Sequence, residues 1–120
     1  MTEVFCDFTL MCAHHLPNLP ATHPCHRMHG HNYKVRLFVR GVVDQHLGWI
    51  IDYAAINAIW SELIHARLDH RLINDTIANP TCELLAEWIY ANLSVGLPVG
   101  VAITRLEIQE EPGSGVVFTP

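Results

Sequence analysis

The sequence is short of positive charge. Only seven of its 120 residues are Lys or Arg, against twelve Asp or Glu, and the net charge is −5 with histidine neutral. Those seven do not cluster, so there is no basic stripe to follow a phosphate backbone, which argues against nucleic acid as a partner. Charge of either sign is scarce, at 16% of residues, whereas half of the chain is hydrophobic. So apolar a small chain is expected to associate through strand edges or faces. No apolar run approaches the ~20 residues that a membrane-spanning helix needs. Met1-Thr2-Glu3-Val4-Phe5-Cys6-Asp7 lacks the basic start and apolar run of a secretory signal. The four cysteines (Cys6, Cys12, Cys25, Cys82) form no CxxC pair, and reduced thiols in a cytoplasm are the simpler expectation than a disulfide scaffold. Repeats, low-complexity tracts and interdomain linkers are also missing, so residues 1–120 are expected to form one domain.

Histidine is what the chain has in excess, nine in all. His29 and His31 flank Gly30, and residues two apart in a strand point to one face. Imidazole is a preferred zinc donor, and catalytic zinc takes three protein ligands and keeps one position open. His14 or His15 supplies the third. Cys25, four residues before His29, then stands near the ion as a reactive thiol or as a fourth ligand. Cys6, Cys12 and Cys82 read as buried structural cysteines.

The periodicities predict a strand over residues 3–13, with Phe8, Leu10, Cys12 and His14 on one face. A loop over 15–28 follows, punctuated by Pro17, Pro20 and Pro24. A second strand runs from His31 to Val43, with Tyr33, Val35, Leu37 and Val39 on one face and Lys34, Arg36, Phe38 and Arg40 on the other. Asp52 is the expected N-cap of a helix that carries Ile56, Ile59, Trp60, Leu63 and Ile64 and ends near Leu68. Thr81 caps a second helix with Leu84, Leu85, Trp88, Ile89 and Leu93 as its apolar stripe. Residues 101–110 alternate as a third strand, and Gly113 and Gly115 permit a hairpin into Val116-Val117-Phe118. The expected order is β-β-α-α-β-β, an α+β fold.

Six segments in this order resemble the 6-pyruvoyltetrahydropterin synthase family: Phe8 to Ala13-His14, Cys25-x-x-x-His29-Gly30-His31, Gly48-Trp49-Ile50-Ile51-Asp52, Leu68-Asp69-His70, Asn79-Pro80-Thr81-x-Glu83, and a strand ending in Glu110. The three residues between Cys25 and His29 resemble the 6-carboxytetrahydropterin synthase branch, since the pyruvoyl branch has a longer gap. The resemblance implies the tunnelling fold: a four-stranded antiparallel sheet with two helices on one face, assembled as a homo-hexamer of two stacked trimers. It implies a zinc-dependent lyase acting on 7,8-dihydroneopterin triphosphate in the route to queuosine. The alternatives are pyruvoyl synthase activity or a non-catalytic zinc-binding module.

By the same resemblance, His14, His29 and His31 bind the metal. His15 falls on the opposite face of a regular strand. Cys25 is the catalytic base, and Asp69 with His70 forms a proton-relay pair that works with a Cys25 of a neighbouring subunit. Read alone, Asp69 and His70 are a turn residue and a helix-terminal histidine. Glu110 grips the pterin ring, with Glu111 as the choice if the strand slips by one residue. Thr81 and its backbone neighbours line the pterin pocket, and Arg27 and Lys34 are the cations available for a triphosphate. Two departures stand out: Cys82 where the family has serine, and His26 where the branch has glycine.

Overall fold

The structure is a computed structural model and describes residues 2–120. Four strands, β1 (Thr2–His14), β2 (His29–Gly41), β3 (Ala102–Glu111) and β4 (Ser114–Phe118), form one antiparallel sheet in the order β1-β2-β3-β4. Strand alternation sends Cys6, Leu10, Cys12 and His14 of β1, and Tyr33, Val35, Leu37 and Val39 of β2, to the buried face. Two helical runs cover that face side by side. The first comprises α1 (Tyr53–Trp60), a π-helical stretch Ser61–His65 and α2 (Ala66–Leu68); the second is α3 (Cys82–Ser94). Ile56, Trp60, Ile64 and Leu68 from the first, and Leu85, Ala86, Ile89 and Leu93 from the second, meet the strand residues in one core. Each fully buried Leu or Ile there stabilises the fold by about 1.5–3 kcal/mol.

Both expected caps are present. The Ala54 N–H donates to Asp52 Oδ1 at 2.9 Å and the Leu84 N–H to Thr81 Oγ1 at 3.2 Å. These side chains satisfy donors that a helix start leaves free. The β3–β4 hairpin turns on Pro112-Gly113, with Gly113 at φ +87°. Proline fixes the first turn position and glycine takes the positive φ of the second. The strand ends shift relative to expectation: β1 runs through His14, and β2 begins at His29 and stops at Gly41 rather than Val43. Two short 3-10 turns, Pro24–His26 and Ile73–Asp75, and the π stretch have no period long enough to read from sequence. Trp60 stacks on Phe8 with ring centroids 4.3 Å apart, Trp88 lies under the Arg67 guanidinium, and Trp49 is exposed.

The molecule is elongated, 58 × 24 × 21 Å, with a radius of gyration of 15.6 Å, against about 13–14 Å for a compact chain of this length. The face of the sheet away from the helices carries Phe5, Arg36 and Arg105 in the open, with Arg36 paired to Asp7 and Arg105 to Glu107. No helix among the described residues is long and apolar enough to cross a membrane.

Candidate metal centre and active site

Register builds the centre. His14, the last residue of β1, pairs directly with His29, the first of β2, and Cys12 pairs with His31. Opposed residues share a face, and so do residues two apart, so all three imidazoles emerge on the helix-covered side. One ring nitrogen from each lies within 4.8 Å of the others, a spacing that could hold a metal ion. Gly30, opposite Ala13, faces away, and a Cβ there would come within 3.3 Å of the Cys12 carbonyl. His15 leaves the cluster: its N–H and carbonyl are both engaged by the Asn74 side chain.

The chemistry of the donor set fits a cation. His14 Nδ1 donates to the Pro80 carbonyl at 2.9 Å and His29 Nδ1 to the Arg27 carbonyl at 2.7 Å. Carbonyls only accept, so these bonds place each ring's proton on Nδ1 and leave a lone pair on Nε2. The two Nε2 atoms lie 2.9 Å apart. Two facing lone pairs repel, and a shared cation or proton relieves them. Burial lowers the pKa of His14, and the neighbouring His29 and His31 push it further down against the Pro80 bond. That favours the neutral ring that ligates metals.

Glu110 closes the fourth side. Its Oε1 is 3.2 Å from His31 Nε2 and 3.5 Å from His14 Nε2, while Glu111 reaches to 3.6 Å from His31 Nδ1. The Nε2 of His31 can donate to Glu110 or ligate a cation, but not both. Cys25 sits in the 3-10 turn, its N–H donating to His23 Nδ1 and its carbonyl accepting from Leu16 N–H. It lines a cavity of about 380 Å³ with His29, His31, Glu110, Glu111 and Ser114. Among the described cysteines it is the one that is not buried. Burial pushes the Cys12 and Cys82 thiols up to about 12, with the charges of Asp69 and Glu110 respectively adding to it, so neither supplies thiolate at neutral pH. Cys82 is therefore a packing residue in place of a hydroxyl. His26 Nδ1 braces the loop by donating to the Leu19 carbonyl.

Asp69 and His70 stand on the other side of β1. The Met11 N–H donates to Asp69 Oδ1 at 2.9 Å, and the His70 N–H donates to the Met11 carbonyl at 2.6 Å. His70 is the one non-glycine residue with positive φ among the described residues, at 57°. Such a backbone costs roughly 1–3 kcal/mol and is typical of functional positions. It also brings adjacent side chains together, with His70 Nδ1 2.5 Å from Asp69 Oδ2. Burial works against ionisation at Asp69, yet the Met11 N–H, the His70 hydrogen bond and the nearby His65 together hold its carboxyl below the ordinary carboxylate value. His70 lines a separate cavity of about 500 Å³ with Met11, Cys12, Gly30 and His31. His31 borders both cavities; Cys25 lines the one and His70 the other.

Thr81 and Arg27, both expected at the substrate, also serve the scaffold of the centre. The Thr81 hydroxyl is taken by its helix cap, while the preceding Pro80 carbonyl holds His14. The Arg27 side chain is exposed, and it is the Arg27 carbonyl that orients His29. Lys34 lines a cavity of about 460 Å³ with His31, Gln109, Glu110 and Glu111. His65, with no motif of its own, faces the Asp69 carboxylate; its spacing of four from Asp69 is its one signal in the sequence.

The sequence profile of the 6-pyruvoyl tetrahydropterin synthase family matches residues 3–120. The chain belongs to this family. Within the 6-pyruvoyl tetrahydropterin synthase family it is 30% identical over 105 residues to the 6-carboxy-5,6,7,8-tetrahydropterin synthase of Synechocystis, covering 82% of this chain and 80% of that one. It is 33% identical over 97 residues to human 6-pyruvoyl tetrahydrobiopterin synthase, covering 75% and 65%. The Caenorhabditis elegans 6-pyruvoyl tetrahydropterin synthase structure superposes with a TM-score of 0.87 at 22% identity, over 99% of this chain and 95% of that one. The fold, a tunnelling-fold sheet with two helical runs on one face, is shared.

Proposed function

We propose that this chain is a zinc-dependent carbon–carbon lyase that converts 7,8-dihydroneopterin triphosphate and one water to 6-carboxy-5,6,7,8-tetrahydropterin, releasing acetaldehyde and triphosphate in the cytoplasm. The observation that carries the reading is the convergence of His14, His29 and His31, two of which, His29 and His31, line one cavity with the half-buried Cys25. The three-residue spacing from Cys25 to His29 and the relatives named 6-carboxy-5,6,7,8-tetrahydropterin synthase support the carboxy activity over others.

His14, His29 and His31 would hold the zinc, which supplies Lewis-acid polarisation of side-chain hydroxyls. The remaining work belongs to the chain's own groups. The Cys25 thiolate removes a proton from the substrate side chain. Asp69 keeps the His70 proton on Nδ1 and so leaves Nε2 to accept and return protons. The Glu110 carboxylate accepts two parallel hydrogen bonds from the pterin amino group and ring N–H. Such positioning contributes a large part of a rate enhancement. Arg27 and Lys34 meet the triphosphate, and the loop at Thr81 borders the ring. Because Cys25 and His70 line different cavities, the relay pair acts on the Cys25 of a neighbouring copy. The open sheet face, the elongated shape and the edges of β4 and of β1 ahead of Met11 support assembly into a hexamer of two trimers.

Mass spectrometry of the products formed by zinc-loaded protein from 7,8-dihydroneopterin triphosphate tests this reading. The 6-carboxy product with acetaldehyde is expected. The human relative favours a second reading, triphosphate elimination without side-chain cleavage, and 6-pyruvoyltetrahydropterin as sole product would establish it. A non-catalytic zinc-binding module predicts no turnover at all, and a Cys25→Ala variant indistinguishable from the parent.

A further inference from the structure

The Asp69 carboxylate has more partners than a simple relay pair needs. Oδ1 is held from β1 by the Met11 N–H. Oδ2 is shared by two imidazoles: His70 from the next residue, and His65, whose Nε2 lies 3.3 Å away. The Asp69 side chain is largely buried, and His65 is half exposed. His65 is the last residue of the π-helical stretch Ser61–His65, one turn before Asp69. Asp69 itself ends α2 in an extended conformation at ψ 134°, and its N–H still donates to the His65 carbonyl at 3.0 Å. π-helical turns are rare and concentrate at functional sites. Here the wider turn ends on the residue whose ring reaches the carboxylate.

We propose that His65 is a positioning residue for the Asp69–His70 pair, a role that rests on the relay assigned to that pair above. Of the other two donors, the one on Oδ2 is the largely exposed His70 ring itself, which cannot anchor the oxygen that is meant to orient it. A third donor, arriving from the helix side, fixes its plane so that Oδ2 stays aimed at His70 Nδ1. With that acceptor fixed, His70 carries its proton on Nδ1 and presents a bare Nε2 to a substrate proton. With the carboxylate free to rotate, the opposite tautomer gains population, and its Nε2–H accepts nothing. His65 touches no substrate in this scheme. Of the two acidic groups on its helical run, Glu62 and Asp69, it is Asp69 whose carboxylate lies within reach of the His65 ring, and Arg67 is turned to Asn92 and the Trp88 ring.

The test compares His65→Phe, which keeps the ring volume without a donor, and His65→Gln, whose amide N–H₂ takes the place of Nε2–H. In zinc-loaded protein, His65→Phe is expected to lower kcat about tenfold, the equivalent of one hydrogen bond to a charged acceptor, with KM and metal content unchanged. His65→Gln is expected to recover activity to within about threefold of the parent, one hydrogen bond being replaced by a similar one. Independently of turnover, ¹⁵N spectra of histidine-labelled protein, with His70 assigned through His70→Gln, should show less Nδ1–H tautomer of His70 in His65→Phe and the parental population in His65→Gln. Parental kcat and unchanged His70 signals in His65→Phe would overturn the proposal. If His65→Phe does not fold, His65→Asn, too short to reach Oδ2, takes its place, and equal behaviour of the Asn and Gln variants overturns it as well. If the parent has no lyase activity, the functional reading fails while the tautomer measurement still decides the role of His65.

Discussion

Removing one imidazole from the three-histidine centre should abolish a stabilisation that the metal confers on the folded chain. His29→Ala is the sharpest choice. His29 is the directly opposed partner of His14, its Nε2 lies 2.9 Å from His14 Nε2, and its Nδ1 is fixed by the Arg27 carbonyl. A ligand that binds the folded and not the unfolded state stabilises by about 4 kcal/mol at a thousandfold excess over its Kd. For a chain of this size about 1 kcal/mol moves Tm by roughly 3–5 °C, so saturating zinc should raise Tm on the order of 10–20 °C. The centre is assembled by register between two strands and not by a preformed loop, so the unfolded chain offers no comparable site. With two rings left, His29→Ala should lose nearly all of that rise, and zinc content by elemental analysis should fall with it. His15→Ala is the control, because His15 is bound to Asn74 away from the cluster. The assay is thermal unfolding followed by circular dichroism, with chelator and with added zinc. An undiminished zinc-dependent rise in His29→Ala, or its loss in His15→Ala, would refute the assignment of the ligands.

Cys25→Ala should keep the metal and the zinc-dependent Tm rise but lower turnover by about 10²-fold or more, the range for loss of a general base, as read by product formation. Asp69 sets an acid limit on stability. Its carboxyl titrates below the ordinary value in the folded chain, so the stabilisation is complete above about pH 3.9, the unfolded value, and is lost as pH falls through the lower folded value. Asp69→Asn should therefore be less stable than the parent at neutral pH in urea melts, and the gap should close as pH drops below about 4. In the β3–β4 hairpin, a Cβ at Gly115 would lie 2.1 Å from the Ile108 carbonyl oxygen, a backbone atom that cannot swing aside. Gly115→Ala should cost about 3 kcal/mol or more, against about 1–2 kcal/mol for Gly113→Ala, where only the φ of +87° is strained and nothing is within 4 Å. Equal melting temperatures for the two variants would count against the close approach.

The sheet was legible because alternation is a strong signal over long strands. Tyr33, Val35, Leu37 and Val39 alternate with Lys34, Arg36, Phe38 and Arg40, and the buried face follows that pattern. The two capping residues were legible because Asp52 and Thr81 each stand just ahead of an apolar helical period. The π stretch was not. Its five residues continue the apolar spacing of α1, with Ile64 still buried, and a period of 3.6 does not distinguish one wide turn from a regular one. The 3-10 turn at Pro24–His26 was hidden for a similar reason, since the prolines around it announce a loop and say nothing about which way the loop coils.

At the site, strand parity reached the histidines directly, whereas Cys25, Asp69 and His70 were named through the family resemblance and the contacts that hold them had no signal in the sequence. His29 and His31 share a face by parity alone, and a regular β1 then selects His14 over His15, as the register shows. Nothing in the sequence states that His14 and His29 are held by the carbonyls of Pro80 and Arg27. A backbone acceptor carries no residue-type signal, and Pro80 is 66 positions away from His14. The same holds for Asp69 and His70. Neighbouring residues meet side chain to side chain only when the backbone turns sharply, and the turn here is a left-handed histidine that propensity disfavours. Sequence patterns report preferred conformations, so a residue held in a disfavoured one escapes them. The strain at His70 is repaid by the Met11 backbone, which accepts from its N–H and donates to Asp69. β1 thus fixes both halves of the site: its last residue is a member of the histidine cluster, and three residues earlier its backbone sets the geometry of the relay pair. A substitution that shifts the register of β1 by one residue would turn His14 out of the cluster and move Met11 away from Asp69 together.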